Sequence, residues 1–262
     1  MVQPAVPSGA PAPGNELRVC VRCGIVALNG VSFKADDGEL VAIVGPNGAG
    51  KTALLNCING VYRPTAGHIR LDGRDLTTVP VDKIALAGVG RAFQHGEMFP
   101  HMTVTENLMV GRHLRMKSGI FASALYFGRA RREEMEERKT IERIIDFFEL
   151  YRYRDTLTGD LPYGVQKMVG VARALALEPK LLLLDEPSTG LMREEKENFA
   201  RYLLRIRHEM KVAIIWVEHD MQMVTDLADR IVVLNYGEVI ADGVPDVVRR
   251  IPKVIEAYLG AD

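Results

Sequence analysis

Along most of the chain, apolar residues fall in short dense runs separated by stretches of helical spacing. Glu39–Gly45 (ELVAIVG) is a β-branched run that stops at glycine, the pattern of a strand buried on both faces. Lys180–Leu184, Val212–Val217 and Ile231–Leu234 repeat it. Helical signals at Lys51–Ile58, Glu194–His208 and Met221–Ala228 lie between these runs. Strands alternating with helices predict an α/β fold with a mostly parallel sheet and right-handed crossovers. From Leu17 to about Phe33 the pattern is short and strand-like, and Pro64–Gly67 (PTAG) reads as a turn.

From about His95 to Gly159 the character changes, and Thr105–Leu114 and Arg131–Phe148 read as helices. In the second, Ile141, Ile144, Ile145 and Phe148 form one apolar stripe, while its charge run, with Glu134 and Arg138 four apart, predicts a solvated face. An all-helical segment set into a parallel sheet implies two lobes. Met1–Glu16 holds four of the thirteen prolines among mostly small residues and is expected to be a disordered tail.

Composition narrows the function. Over 262 residues, 33 Lys+Arg nearly cancel 34 Asp+Glu, which argues against a nucleic-acid partner bound through bulk positive charge. No apolar run approaches the roughly 20 residues that cross a bilayer, and the start lacks the basic and apolar segments of a secretory signal. Cys20, Cys23 and Cys57 match no paired metal-ligand spacing, which predicts free thiols in a reducing, cytosolic setting.

The candidate chemistry begins at Gly45-Pro46-Asn47-Gly48-Ala49-Gly50-Lys51-Thr52, a G-x-x-x-x-G-K-[ST] pattern between a strand and a helix start. Its glycines let successive backbone N–H groups turn toward one anion, and the helix start adds partial positive charge. Lys51 is expected to bridge the β- and γ-phosphates of a nucleotide, and the Thr52 hydroxyl to ligate Mg²⁺. A buried strand ending in an acid should complete such a site, and Leu181–Leu184 followed by Asp185-Glu186-Pro187 supplies it. Asp185 is placed to hold the metal through water, and Glu186 to polarise an attacking water. Hydrolysis of a nucleoside triphosphate is the reading of these two motifs together.

With these residues in place, the chain resembles the ATP-binding subunits of ABC transporters from about Leu17 to Leu259. The resemblance implies a P-loop NTPase fold: a RecA-like core over 17–94 and 168–262, a small antiparallel β subdomain, and an inserted helical subdomain over 95–167. Gln94 in Arg91-Ala92-Phe93-Gln94 looks like the glutamine that joins the core to the helical lobe and reaches the metal and attacking water. Leu161-Pro162-Tyr163-Gly164-Val165 occupies the place of the signature motif, which acts on the ATP of a partner subunit. Ser188–Met192 stands where the dimer-contacting loop follows the catalytic glutamate, and His219 looks like the switch histidine that contacts the γ-phosphate.

Within that family the chain is most similar to importers of branched-chain amino acids and related amino acids or amides. Asn56–Gly60 after the phosphate loop, Phe99–Leu108, the insertion around Met116–Arg132, Tyr163 in the signature and the ending Val254–Gly260 carry that likeness. Lipid-export ATPases share the short architecture, and soluble ABC ATPases share the phosphate motifs. The implied cofactors are ATP and Mg²⁺. The implied partners are a second ATPase subunit, two transmembrane permeases and, indirectly, an external solute-binding protein, at the cytoplasmic face of the inner or plasma membrane. Several positions depart from the family pattern. Cys23 stands where an aromatic ring usually stacks on adenine, Ala53 replaces a second hydroxyl after Thr52, and Pro162, Tyr163 and Val165 alter the signature. The altered signature leads to the expectation of a heterodimer, in which this chain's phosphate loop and Glu186 serve the competent site.

Overall fold

The computed structural model describes residues 16–23, 28–92, 98–113 and 129–259. Gln94 and Phe93, Gly24, Leu114, most of the 116–132 insertion and Gly260 lie outside the described residues.

Among the described residues, ten strands form two sheets. β1 (Glu16–Cys23), β2 (Leu28–Asp36), β4 (Ala66–Leu71) and β5 (Arg74–Asp75) make a four-stranded antiparallel sheet in the order β2-β1-β4-β5. Glu16, the last residue of the expected tail, instead opens β1 opposite Asp36. The expected turn at Pro64–Gly67 gives way to strand at Ala66.

The larger sheet contains β3 (Leu40–Val44), β6 (Val89–Ala92), β7 (Leu181–Asp185), β8 (Ala213–Val217), β9 (Arg230–Asn235) and β10 (Glu238–Gly243), in the order β10-β9-β3-β8-β7-β6. All of its pairings are parallel except β10 with β9. Every residue of β3, β7 and β8 is buried, as strands covered on both faces require.

Alternation along these strands separates two cores. Leu40, Ala42, Val44, Leu182, Leu184, Ile214 and Trp216 face one side. Val41, Ile43, Leu181, Leu183, Ile215 and Val217 face the other, where the antiparallel sheet and α1 (Lys51–Ile58) cover them through Val19, Val31, Ile69, Leu54 and Leu55. The first core is covered by α4 (Tyr163–Ala176), α5 (Arg193–Arg205) and α6 (Met221–Leu227), and it runs on into the helical lobe. There α2 (Val104–His113) and α3 (Arg129–Phe147) contribute Val104, Leu108, Ile141, Ile144 and Ile145, with Phe148 just beyond α3. The expected lobe boundary at 167 falls inside α4, whose last turns meet both Gly90 of β6 and Gly111 of α2.

One part of the α3 charge run is not solvated. Glu137 is buried and pairs with the buried Arg112 of α2, which also bonds Glu178 at 2.9 Å and the Ala176 carbonyl at 2.9 Å. Two carboxylates and a helix-end carbonyl thus meet one guanidinium, so α2, α3 and the end of α4 are tied at one point. A reciprocal cap starts α2: Glu106 accepts from the Thr103 backbone N–H at 2.8 Å, and Thr103 Oγ1 accepts from the Glu106 N–H at 3.2 Å. Asn107, fully buried, accepts from the Phe99 N–H at 2.9 Å and donates to the Thr103 carbonyl at 3.0 Å, pinning the segment that enters the lobe.

Candidate active site

The order β9-β3-β8-β7-β6 sets four chain reversals side by side at the carboxyl ends of the parallel strands, where open α/β sheets bind ligands. The phosphate loop follows β3, the Asp185-Glu186 pair closes β7, the loop to His219 follows β8, and β6 leads toward Gln94.

Gly45 is extreme in backbone geometry, with φ of +149°. A Cβ there would lie 2.1 Å from the Leu234 carbonyl oxygen of β9, so only glycine lets the loop leave β3 against the neighbouring strand. Gly45→Ala is therefore expected to lower stability by at least about 1–3 kcal/mol, measured as the shift of the denaturant midpoint. Asn47, Gly48 and the Thr52 residue are exposed, whereas Ala49 and Lys51 are buried. Lys51 Nζ donates to the Gly45 and Pro46 carbonyls at 2.8 and 3.0 Å, curling over the loop from the first turn of α1. Burial lowers its pKa, and the carboxylates of Glu186 and Asp185 oppose that shift. Ala53 packs against the second core, so its methyl group is used in folding.

Asp185 is buried at the end of β7, and burial raises its pKa against the pull of Arg91. Arg91 of β6 donates to Asp185 Oδ2 at 3.0 Å and to Asn56 Oδ1 of α1 at 2.7 Å. Both charged side chains are under a tenth exposed. Sequence reasoning missed Arg91 because its partners lie on elements distant in the chain. Its position three residues before Gln94 is the one signal it left.

Glu186 holds a left-handed backbone with φ of +46°, uncommon for a residue with a side chain. Its N–H is pinned to the Val217 carbonyl of β8 at 2.9 Å. Such strain persists only where the surroundings fix it, and here it turns the carboxylate toward His219, whose Nε2 lies 2.7 Å from Glu186 Oε1. The His219 loop is braced from both ends. Buried Glu218 accepts from the His219 backbone N–H at 2.8 Å, and Asp220 caps α6 through Met223 N–H at 3.2 Å. Lys196 of α5 bonds Asp220 at 2.7 Å and is the main reason its pKa is lowered.

The signature stretch starts α4. Leu161 and Gly164 are buried, Val165 is half-buried against the first core, and Pro162 and Tyr163 are exposed. Tyr163, 49% exposed, lays its ring beside Gly190 and points its hydroxyl at the Thr189 carbonyl, 3.5 Å away. Gly164 leaves room for Glu195, whose Oε1 would be 2.2 Å from a Cβ at that position. Met192 follows this loop at 77% exposure, and Ser188 is buried. Cys23 pairs with Leu28 in the antiparallel sheet, and its side chain lies outside the described residues.

Lys51, Thr52, Asp185, Glu186 and His219 are thus gathered at one edge of the sheet. The Leu161–Val165 stretch opens α4, with Pro162 and Tyr163 exposed. A phosphate loop on a parallel sheet, with a helical lobe inserted before the acid-bearing strand, defines an ATP-binding cassette. A family model for ABC transporters matches residues 28–189, and a second, for the branched-chain amino acid ATP-binding cassette transporter, matches residues 238–262. The chain belongs to the ABC transporter family, as one of its ATP-binding, ATP-hydrolysing subunits.

The high-affinity branched-chain amino acid transport ATP-binding protein BraF of Pseudomonas aeruginosa is 39% identical over 237 residues, covering 90% of this chain and 93% of BraF. LivG of Escherichia coli K12, described in the same words, is 39% identical over 241 residues with the same coverage. Among solved structures, the ADP conformation of MJ1267, an ATP-binding cassette of an ABC transporter, superposes with a TM-score of 0.80 at 29% identity, covering 94% of this chain and 98% of that one. Subunits of this kind work with transmembrane permeases, and no helix among the described residues is long and apolar enough to cross a membrane.

Proposed function

We propose that this chain powers uptake of branched-chain or related amino acids. It would act peripherally at the cytoplasmic face of the inner or plasma membrane, as one ATPase subunit beneath two permeases served by an external solute-binding protein. The observation that carries the site assignment is the convergence of the Gly45–Thr52 loop, Asp185-Glu186 and His219 on the carboxyl ends of three adjacent strands. The names of BraF and LivG, and the C-terminal match at residues 238–262, support the substrate class.

In this reading the phosphate loop and Lys51 hold the ATP phosphates, with Ala53 just behind them. Glu186 orients and deprotonates the attacking water. His219, kept in place by Glu218 and Asp220, meets the γ-phosphate, and Gln94 completes the site from the lobe side. The Thr52 hydroxyl, the Asp185 carboxylate and the Gln94 amide are hard oxygen donors of the kind Mg²⁺ selects. When bound, that ion would neutralise charge on the phosphates. A cleft of about 540 Å³ between core and lobe, lined by Val81, Ala85, Arg91, Met98, Lys167 and Gly170 among others, is the permease-facing surface in this reading.

The signature favours a heterodimer. Pro162 has no N–H to offer a phosphate, and Val165 stands half-buried against the first core, so this chain caps its partner's ATP poorly while its own ATP receives the partner's signature. Glu186→Gln is expected to abolish most turnover and the partner's corresponding substitution to cost less, and equal losses or a larger loss from the partner's substitution would overturn this. Substrate and partners are tested together by purifying tagged Glu186→Gln from detergent-solubilised membranes with ATP and Mg²⁺. Two polytopic permeases and a second, non-identical ATPase are the expected companions. Recovery in the soluble fraction with ribosomal or nucleic-acid material would reject the transport assignment.

A further inference from the structure

The turn that joins β9 to β10 is fastened to the phosphate loop. Gly237 donates its N–H to the Ala49 carbonyl at 3.0 Å, and its own carbonyl accepts from the Asn29 N–H of β2 at 2.7 Å. Asn29 Nδ2 donates to Glu238 Oε1 at 2.6 Å, so the turn is held between the phosphate loop and the antiparallel sheet. Asn235 pairs with Glu238, which leaves Tyr236 and Gly237 as a two-residue turn with φ of +44° and +77°. A turn with both central residues left-handed selects Asn-Gly or Gly-Gly. Tyr236 stands there instead, with 86% of the residue exposed, so its ring gains almost nothing from packing. Folding therefore accounts for neither the residue type nor its exposure.

Strand order determines which part of a nucleotide passes this turn. β8 and β7, which lead to His219 and Asp185-Glu186, lie on one side of β3, and β9 and β10 lie on the other. With the γ-phosphate directed at Glu186 and His219, the ribose and base extend the opposite way, toward the β9–β10 turn and the adjoining end of β2. A base leaving the loop there needs a flat apolar face to lie on. The neighbouring stretch Val21–Gly30 contains no aromatic residue, whereas Tyr236 brings a ring to this edge. An exposed ring on a fixed backbone can stack on a base at little entropic cost.

We propose that Tyr236 is a base-contacting residue of the ATP site, its ring stacking on the purine of the nucleotide whose phosphates lie in Gly45–Thr52. The proposal rests on the ATP site described under Proposed function and adds to it the group that holds the base.

Wild type, Tyr236→Phe, Tyr236→Asn and Tyr236→Gly are compared as full-length chains. Asparagine and glycine both suit the left-handed turn, so these two variants are expected to unfold at or above the wild-type temperature, and a loss of binding then reports the missing ring. ATP and inorganic tripolyphosphate, which has no base, are titrated calorimetrically with Mg²⁺. Tyr236→Asn and Tyr236→Gly should each weaken ATP about tenfold and leave tripolyphosphate unchanged, with Tyr236→Phe near wild type for both. The fluorescence of a 2-aminopurine nucleoside triphosphate, quenched by stacking in the wild type, should recover in the two ring-less variants. Wild-type ATP affinity in those variants, or equal weakening of ATP and tripolyphosphate, would overturn the proposal. So would a loss in Tyr236→Phe as large as theirs, because the hydroxyl and not the ring would then carry the contact. A wild-type chain that binds neither ATP nor tripolyphosphate would instead overturn the site reading beneath it.

Discussion

Glu186→Gln is expected to reduce ATP turnover by about 10²–10⁴-fold while ATP binding survives. The side chain sits on a left-handed backbone at φ of +46°, fixed by the bond from its N–H to Val217, and glutamine inherits that geometry without change of shape. The amide can still partner His219 across the 2.7 Å contact. What it cannot do is accept a proton from water as the water attacks. Lys51, the loop N–H groups and Thr52 stay as they are, so the nucleotide is retained. Phosphate release and labelled-ATP binding, measured on the same preparation, separate the two effects. Retention of more than about a tenth of the turnover would remove Glu186 from the base role assigned by analogy with proton-transfer catalysis.

Arg91→Met should produce the largest loss of stability of any substitution at the site, about 3–5 kcal/mol. Arg91 and Asp185 are a buried pair 3.0 Å apart, and Arg91 also holds Asn56 on α1 at 2.7 Å. Removing the guanidinium leaves a carboxylate that burial already disfavours, with its nearest countercharge gone. Breaking such a pair costs more than replacing both members, because one charge remains buried and unmatched. Arg91→Met combined with Asp185→Asn is therefore expected to recover much of the loss, a coupling that a double-mutant cycle in denaturant reads directly. Additive losses would show that the two side chains act separately. Beyond stability, this contact ties together β6, the buried acid at the end of β7 and the helix behind the phosphate loop.

Arg91 marks where sequence reasoning stopped. The buried strands were legible because a run such as Leu181–Leu184 needs no partner to declare itself, and the helices because their apolar period is local. The phosphate loop was legible because glycine spacing before Lys51-Thr52 follows from the loop's own backbone. By contrast, Glu137 looked like any other member of a charged helix face until α2 brought Arg112 against it. The Lys196 bond to Asp220 joins α5 to α6 across 24 positions.

Local composition and periodicity therefore determined the class of this protein. They fixed which runs would be buried, where the chain would bind phosphate, which acids stood ready beside it, and the family to which these pointed. Tertiary structure alone decided how the site is held. Strand order β9-β3-β8-β7-β6 brought Gly45, His219 and Asp185 together, and long-range contacts fixed the charge partners of Asp185, Glu137 and Asp220. The division has a physical cause. Burial and backbone preference act over a few neighbouring residues, whereas a hydrogen bond or ion pair depends on distance in space, which the chain acquires only when the sheet closes.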